Sequence, residues 1–299
     1  MRNGILVLTL LLFSGDFCLA TCPSADLNGN CFVDFEDFAV LAAQWATSDF
    51  NDIAVMAAHW LTTDPCIPPD MAYIPDGTFE MGDSFAEGAS DERPVHTVTL
   101  DSFYMGKYEI TNRQYCDFLD WADDNSWITV TSGVVYKAGS GTSYPYCDTS
   151  TSSSYSQIAY GGGLFSVRTK GGRSMVNDPM VKVSWYGAAA YCNWRSLQEG
   201  RELCYYPSTL APDPSKHGYR VATEAEWEYA ARGGLAGRRF PWGDTISHSQ
   251  ANYYSSTDYA YDVTSTEGCH PIWNDGVYPY TSPLGSFSAN GFGLYDMEV

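Results

Sequence analysis

The stretch "YRVATEAEWEYAARGG", residues 219 to 234, sets three glutamates and a tryptophan ahead of a glycine pair. Thr223 with Glu226 three residues on is a T-x-x-E capping box, whose side chains satisfy two backbone donors at a helix start. Glu224 and Glu226 also fall in the first turn, where the helix dipole favours negative charge. Trp227, Ala230 and Ala231 recur at i, i+3 and i+4 and predict a buried face, with Gly233 as a left-handed stop. The glutamates therefore read as builders of a helix, not as a catalytic acid and base.

The same design recurs upstream. "VHTVTLDSFYMGKYEIT" (95 to 111) alternates as strands do, and Thr111 then caps "NRQYCDFLDWA". Gln114 completes a second capping box, and Tyr115, Phe118 and Leu119 face inward. In "MVKVSWYGAAAYCNWRSLQEG" (180 to 200) a strand ends at Ser184, which caps a helix carrying Ala188, Tyr191 and Cys192 inward until Gly200. "MAYIPDGTFEMGD" (71 to 83) reads as two short strands around an Asp76-Gly77 turn. Trp127 to Asn177, containing "TSTSSSYS", reads as a long surface insertion. Trp185, Trp227 and Trp242 are expected in the core, and His96, His217, His248 and His270 as surface or hydrogen-bonded residues without ligand spacing.

In order along the chain, "YIPDGTFEMGD", "DERPVHTVTLDSFYMGKYEITNRQY", "VKVSWYGAAAYCNW", "YRVATEAEWEYAARGG", "FPWGD", "QANYY" and "NGFGLYDM" resemble the formylglycine-generating enzyme (sulfatase-modifying factor) family. The resemblance covers the chain from the end of the linker to Glu298. It implies an α+β fold related to C-type lectins, rich in loops. It also implies oxidation of a sulfatase cysteine to formylglycine by oxygen and a copper(I) ion held between two cysteines, since soft thiolates suit Cu(I). In the family those cysteines lie well beyond "GLYDM", whereas here the sequence reads Glu298, Val299 and stops. The expectation is an incomplete domain without copper ligands, inactive as written, and no catalytic residue is assigned. Calcium is implied as well, bound by side-chain oxygens of Asn252 and Asp275 and carbonyls of Tyr253 and Val277. Asp296 matches the first ligand of a second site whose other members would follow Val299. Cys192 matches a position bridged in some relatives, and here is expected as a buried thiol.

Composition narrows the partners. A formal charge of −20 over 299 residues opposes nucleic acid and anionic membranes and suits calcium. Aromatics at 15% predict loops pinned by rings, or a broad binding surface. No G-x-S-x-G, H-E-x-x-H or phosphate loop occurs.

Arg2 precedes the apolar run "ILVLTLLLF", and "CLA" (18 to 20) offers small residues to a signal peptidase, so residues 1–20 read as a signal peptide. The run is too short to span a bilayer. A secreted, periplasmic or cell-surface protein is expected, with a lipoprotein on Cys22 ("LATC") as the alternative. Removal of Cys18 leaves Cys22, Cys31, Cys66, Cys116, Cys147, Cys192, Cys204 and Cys269. An even number in an exported chain predicts disulfides of open connectivity, with Cys147, Cys204 and Cys269 among the bridged residues.

Residues 21–63 read as a separate helical module. In "DLNGNCFVDFED" (26 to 37), Asp26, Asn28, Asn30, Asp34 and Asp37 occupy positions 1, 3, 5, 9 and 12 of an EF-hand-type calcium loop, with the Phe32 carbonyl at 7. Cys31 stands where such loops carry glycine. "FEDFAVLAAQWAT" (35 to 47) repeats as "FNDIAVMAAHWLT" (50 to 62), two amphipathic helices that should pack together. The arrangement resembles dockerin modules, which bind calcium and a cohesin-like partner. A proline-rich linker (64–70) leads to the main domain, 71–299. The alternative to an oxidase is a non-catalytic ligand-binding or scaffold protein, lectin-like in fold and anchored through this module.

Overall fold

A computed structural model describes residues 10–13, 68–274, 276 and 278–298. The expected helical module, with Asp26, Asn28, Asn30, Asp34 and Asp37, lies outside the described residues, as do Asp275 and Val277. In chain order come β1 (Leu10–Phe13), β2 (Met71–Ile74), β3 (Gly77–Met81), β4 (His96–Leu100), β5 (Phe103–Gly106) and helix α1 (Asn112–Asp124). β6 (Ile128–Thr131), β7 (Val134–Lys137), β8 (Pro145–Asp148), β9 (Ile158–Gly161), β10 (Leu164–Val167), β11 (Thr169–Lys170) and β12 (Arg173–Ser174) follow. Helix α2 (Trp185–Gln198), β13 (Tyr219–Val221) and helix α3 (Glu224–Ala231) complete the described regular structure. The fold is mixed α/β and loop-rich, as expected. No described helix is long and apolar enough to cross a membrane.

All three helix starts form as the caps dictate. Thr111 with Gln114 and Thr223 with Glu226 each close a reciprocal capping box, and the Ser184 side chain accepts from the Gly187 N–H. Helix α3 ends at Gly233, whose φ of 59° is cheap only without a Cβ; a Cβ there would also meet the Gly291 nitrogen at 2.8 Å. Ala230 and Ala231 then pack with Ala72, Ile74, Phe103, Met105, Leu294 and Met297 in one apolar cluster. Helices α1 and α2 build an aromatic core beside it. Tyr115 stacks on Tyr191 (centroids 5.7 Å apart, 13° between planes), and Phe118 meets Tyr191 edge-on.

Four strands form a sheet in the order β13-β1-β5-β2. β1 runs antiparallel to both neighbours, Leu12 opposite Tyr219 on one side and Tyr104 on the other. Four residues of the run expected to be removed as a leader thus lie between two strands of the main domain.

Several expectations need correction. β2 and β3 do not pair with each other: β2 joins the four-stranded sheet and β3 pairs with β4. Residues 127 to 177 are no surface insertion. They fold into short antiparallel ladders and bury Val135, Cys147, Ile158 and Met175. Their polar anchor is Asn112, whose Nδ2 donates to Gln157 Oε1 (2.6 Å) and the Met175 carbonyl (2.9 Å). Trp227 is 43% exposed; the buried face of α3 is instead phased on Glu226, which Arg220 holds inward (2.5 Å). Trp185, in the first turn of α2, is 42% exposed. The expected disulfides do not form among the described residues: Cys116, Cys147, Cys192, Cys204 and Cys269 are free thiols. All but Cys269 are buried, packed as small apolar fillers.

Candidate functional site

After α3 the chain is irregular, and its loops wall a cavity of about 1380 Å³. On the lining, Glu109 leaves β5 towards the Thr111 cap and meets the terminal stretch. There the Tyr295 N–H donates to the Lys107 carbonyl (2.9 Å), and the Tyr108 and Tyr295 rings stack at 4.6 Å. Asp296 takes a left-handed backbone (φ 55°) and accepts from the Gly285 N–H at 2.6 Å. Glu109 Oε2 and Asp296 Oδ1 are buried without a protein partner. Burial, then the nearby Asp296 charge, pushes Glu109 up to about 8. Burial also raises Asp296, and raises Glu298 to about 8 against the pull of Arg232. Two orphaned carboxylate oxygens can hold a cation or a proton. Nothing in the spacing of "KYEIT" marked Glu109, since strand alternation predicts only that it follows a strand end.

Three other lining carboxylates are engaged. Glu87 takes both Arg239 Nε and Nη2 at 2.9 Å, and that guanidinium lies 3.8 Å over the Phe85 ring. Glu228 accepts from Arg232 (2.6 Å) and from the Gly82 N–H (2.9 Å). Asp262 accepts from the Tyr253 hydroxyl (2.7 Å) and the N–H groups of Thr264 and Ser256 (3.0 Å each). Burial opposes its charge, yet these bonds, led by Tyr253, hold its carboxyl well below the usual range.

Of the residues expected to hold calcium, Asn252 and Tyr253 are described and both line this cavity. Asn252 Nδ2 donates to the Tyr280 carbonyl (2.8 Å), and His248 Nε2 lies 3.2 Å from the Tyr253 carbonyl. His248 and His270 are buried and hydrogen-bonded, His270 Nε2 lying 2.8 Å from the His248 carbonyl. Among the described residues no three His, Cys, Asp or Glu side chains are grouped to hold a metal.

The thiols are poor copper ligands. Burial, the largest effect at each, pushes Cys116 up to about 12 and raises Cys147, Cys192 and Cys204 as well. Copper(I) binds thiolates, so each of these four buried thiols would have to give up its proton against burial to hold the ion, and they fit it poorly.

The profile of the sulfatase-modifying factor enzyme 1-like domain matches residues 59–298, starting inside the second of the two repeated stretches. The formylglycine-generating enzyme of Thermomonospora curvata is 31% identical over 240 residues, 76% of this chain and 67% of that protein. The enzyme of that name from Streptomyces coelicolor is 31% identical over 75% of this chain and 64% of its own. The inactive C-alpha-formylglycine-generating enzyme 2 of Bos taurus is 27% identical over 76% and 67%. The chain spans about two thirds of these proteins and little more than half of the mouse and bovine enzymes named formylglycine-generating. With the profile matched from residue 59 to 298, the chain belongs to the sulfatase-modifying factor, or formylglycine-generating enzyme, family.

Proposed function

We propose that the 299 residues are the scaffold part of an exported formylglycine-generating protein whose substrate is a sulfatase cysteine. In that reading oxygen and copper do the oxidation, and the copper ligands are not among the described cysteines. The observation that supports it is the burial of Cys116, Cys147, Cys192 and Cys204 as raised-pKa thiols. The purified chain, given Cu(I), oxygen and a Cys-x-Pro-x-Arg peptide, should yield no formylglycine by mass spectrometry. Turnover would sink the proposal.

A second reading is favoured by the exposed aromatic rings of the cavity: a non-catalytic ligand-binding or scaffold protein, placed by a dockerin-like module on a cohesin-like partner. The inactive bovine relative shows that the family name covers a protein described as inactive. The peptide assay on longer versions of the chain separates the two, since only the first reading predicts that any of them becomes active.

Calcium is part of both. It would use Asp26, Asn28, Asn30, Asp34 and Asp37 in the first loop, and Asn252, Tyr253, Asp275 and Val277 in the main domain. The engaged Tyr253 carbonyl leaves a lone pair free for a cation, so the described half of the second set is compatible with it. Calcium should raise the melting temperature over EGTA, and Asn252→Ala should reduce that rise. Identical melting curves with and without calcium would remove the ion from the account.

A further inference from the structure

Five aromatic side chains that line the cavity are exposed: Tyr254 (70%), Tyr259 (51%), Tyr278 (47%), Trp227 (43%) and Phe85 (36%), the last covered by the Arg239 guanidinium. Exposed rings gathered in one concavity mark a binding surface. Two of them are braced from behind. Tyr259 stacks on Tyr261 at 5.3 Å and 22°, and Tyr278 leans on Tyr280 at 4.6 Å and on Tyr155 at 5.2 Å. Rings held in place lose little freedom when a ligand covers them.

The chemistry of the ligand follows from size and charge. At about 1380 Å³ the space exceeds the roughly 300–1,000 Å³ of ordinary small-molecule sites and suits an oligomer. A basic peptide would need a cluster of free carboxylates, but Glu87, Glu228 and Asp262 are already committed to Arg239, Arg232 and the Tyr253 hydroxyl. Burial raises Glu109 and Glu298 to about 8, and Asp91, Glu92 and Glu224 stand exposed at the surface. An anionic polymer would meet a chain of charge −20. What is left is flat aromatic faces with neutral hydrogen-bonding groups such as Gln250, Asn252 and Ser282 beside them. A pyranose ring matches both, with a C–H face for the aromatic plane and a rim of hydroxyls for the amides.

We propose that this trough binds a neutral oligosaccharide, with Tyr254, Tyr259, Tyr278 and Trp227 as stacking platforms. The site is independent of the four buried thiols and of whether the chain takes part in catalysis.

The test is affinity electrophoresis of the full chain in gels containing glucomannan, xylan, galactan or sulfated carrageenan, with polylysine as a basic-polymer control. Retardation by at least one of the three neutral polysaccharides is expected and none by carrageenan, while polylysine should retard a chain of charge −20 through charge alone, equally in wild type and variants. The double variant Tyr254→Ala/Tyr259→Ala should weaken binding of the neutral polysaccharide roughly tenfold with an unchanged melting temperature, while Tyr254→Phe keeps it. Retardation by carrageenan or polylysine alone, by none of the neutral polysaccharides, or by a neutral polysaccharide equally in wild type and a folded double variant, overturns the proposal. Should the double variant not fold, Tyr254→Ala alone decides, because this most exposed ring supports no core contact.

Discussion

Glu226 works at two places at once. It closes the Thr223 capping box and takes both terminal nitrogens of Arg220, at 2.8 and 2.5 Å. Thr223→Ala should cost about 1 kcal/mol in denaturant melts. Glu226→Gln should cost about 3 kcal/mol, because it removes the negative charge facing a mostly buried guanidinium. Burial by itself would raise the Glu226 carboxyl, but the hydrogen bonds and charge of Arg220 outweigh it and bring it below its ordinary 4.5. A depressed carboxylate contributes stability above its unfolded value and loses it as pH falls through the folded one. The gap between wild type and Glu226→Gln should therefore shrink on acidification below about 4.5; a gap constant with pH would contradict this. The thiols give a second residue-level test. A maleimide should label Cys116, Cys147, Cys192 and Cys204 only after unfolding, and mass-mapped disulfides at any of them would contradict the fold. Caps were legible because their partners sit three residues apart. Disulfides were misjudged because parity counts cysteines and cannot see burial.

Helices were readable as elements and their surroundings were not. The phase of α3 depends on Arg220, a tertiary partner, so the i, i+3, i+4 pattern turned Trp227 inward when it faces the trough. The block from Trp127 to Asn177 looked like an insertion because its strands are short and its serines many. Its buried residues reveal themselves only against α1 and α2. One glycine shows how tightly α2 and β8 meet. A Cβ on Gly187 would stand 2.5 Å from the Tyr146 carbonyl oxygen and 2.6 Å from the Tyr115 hydroxyl. Gly187→Ala should thus destabilise by about 2 kcal/mol through overpacking, although alanine is the better helix former by about 1 kcal/mol. An unchanged or raised melting temperature would show that the two elements can part without cost.

At the scale of the molecule, seven ordered motifs identified the family while single motifs could not, and loop packing explains why: each motif fixes one junction of a fold with little regular structure. The carboxylates Glu109 and Asp296 come from opposite ends of the domain, so only the folded chain brings them to one cavity. β1 raises a separate point. It lies between β5 and β13, so a chain starting at Thr21 should melt lower than the full chain, and equal melting temperatures would show that the sheet does not need it. The central claim concerns sulfur: the four buried thiols serve packing, and in the proposed reading none of them holds copper. X-ray absorption at the copper edge, on the chain with Cys18, Cys22, Cys31 and Cys66 changed to serine and loaded with one equivalent of Cu(I), reads this directly. The account predicts copper lost on desalting or bound without sulfur; two sulfurs around one retained copper would contradict it.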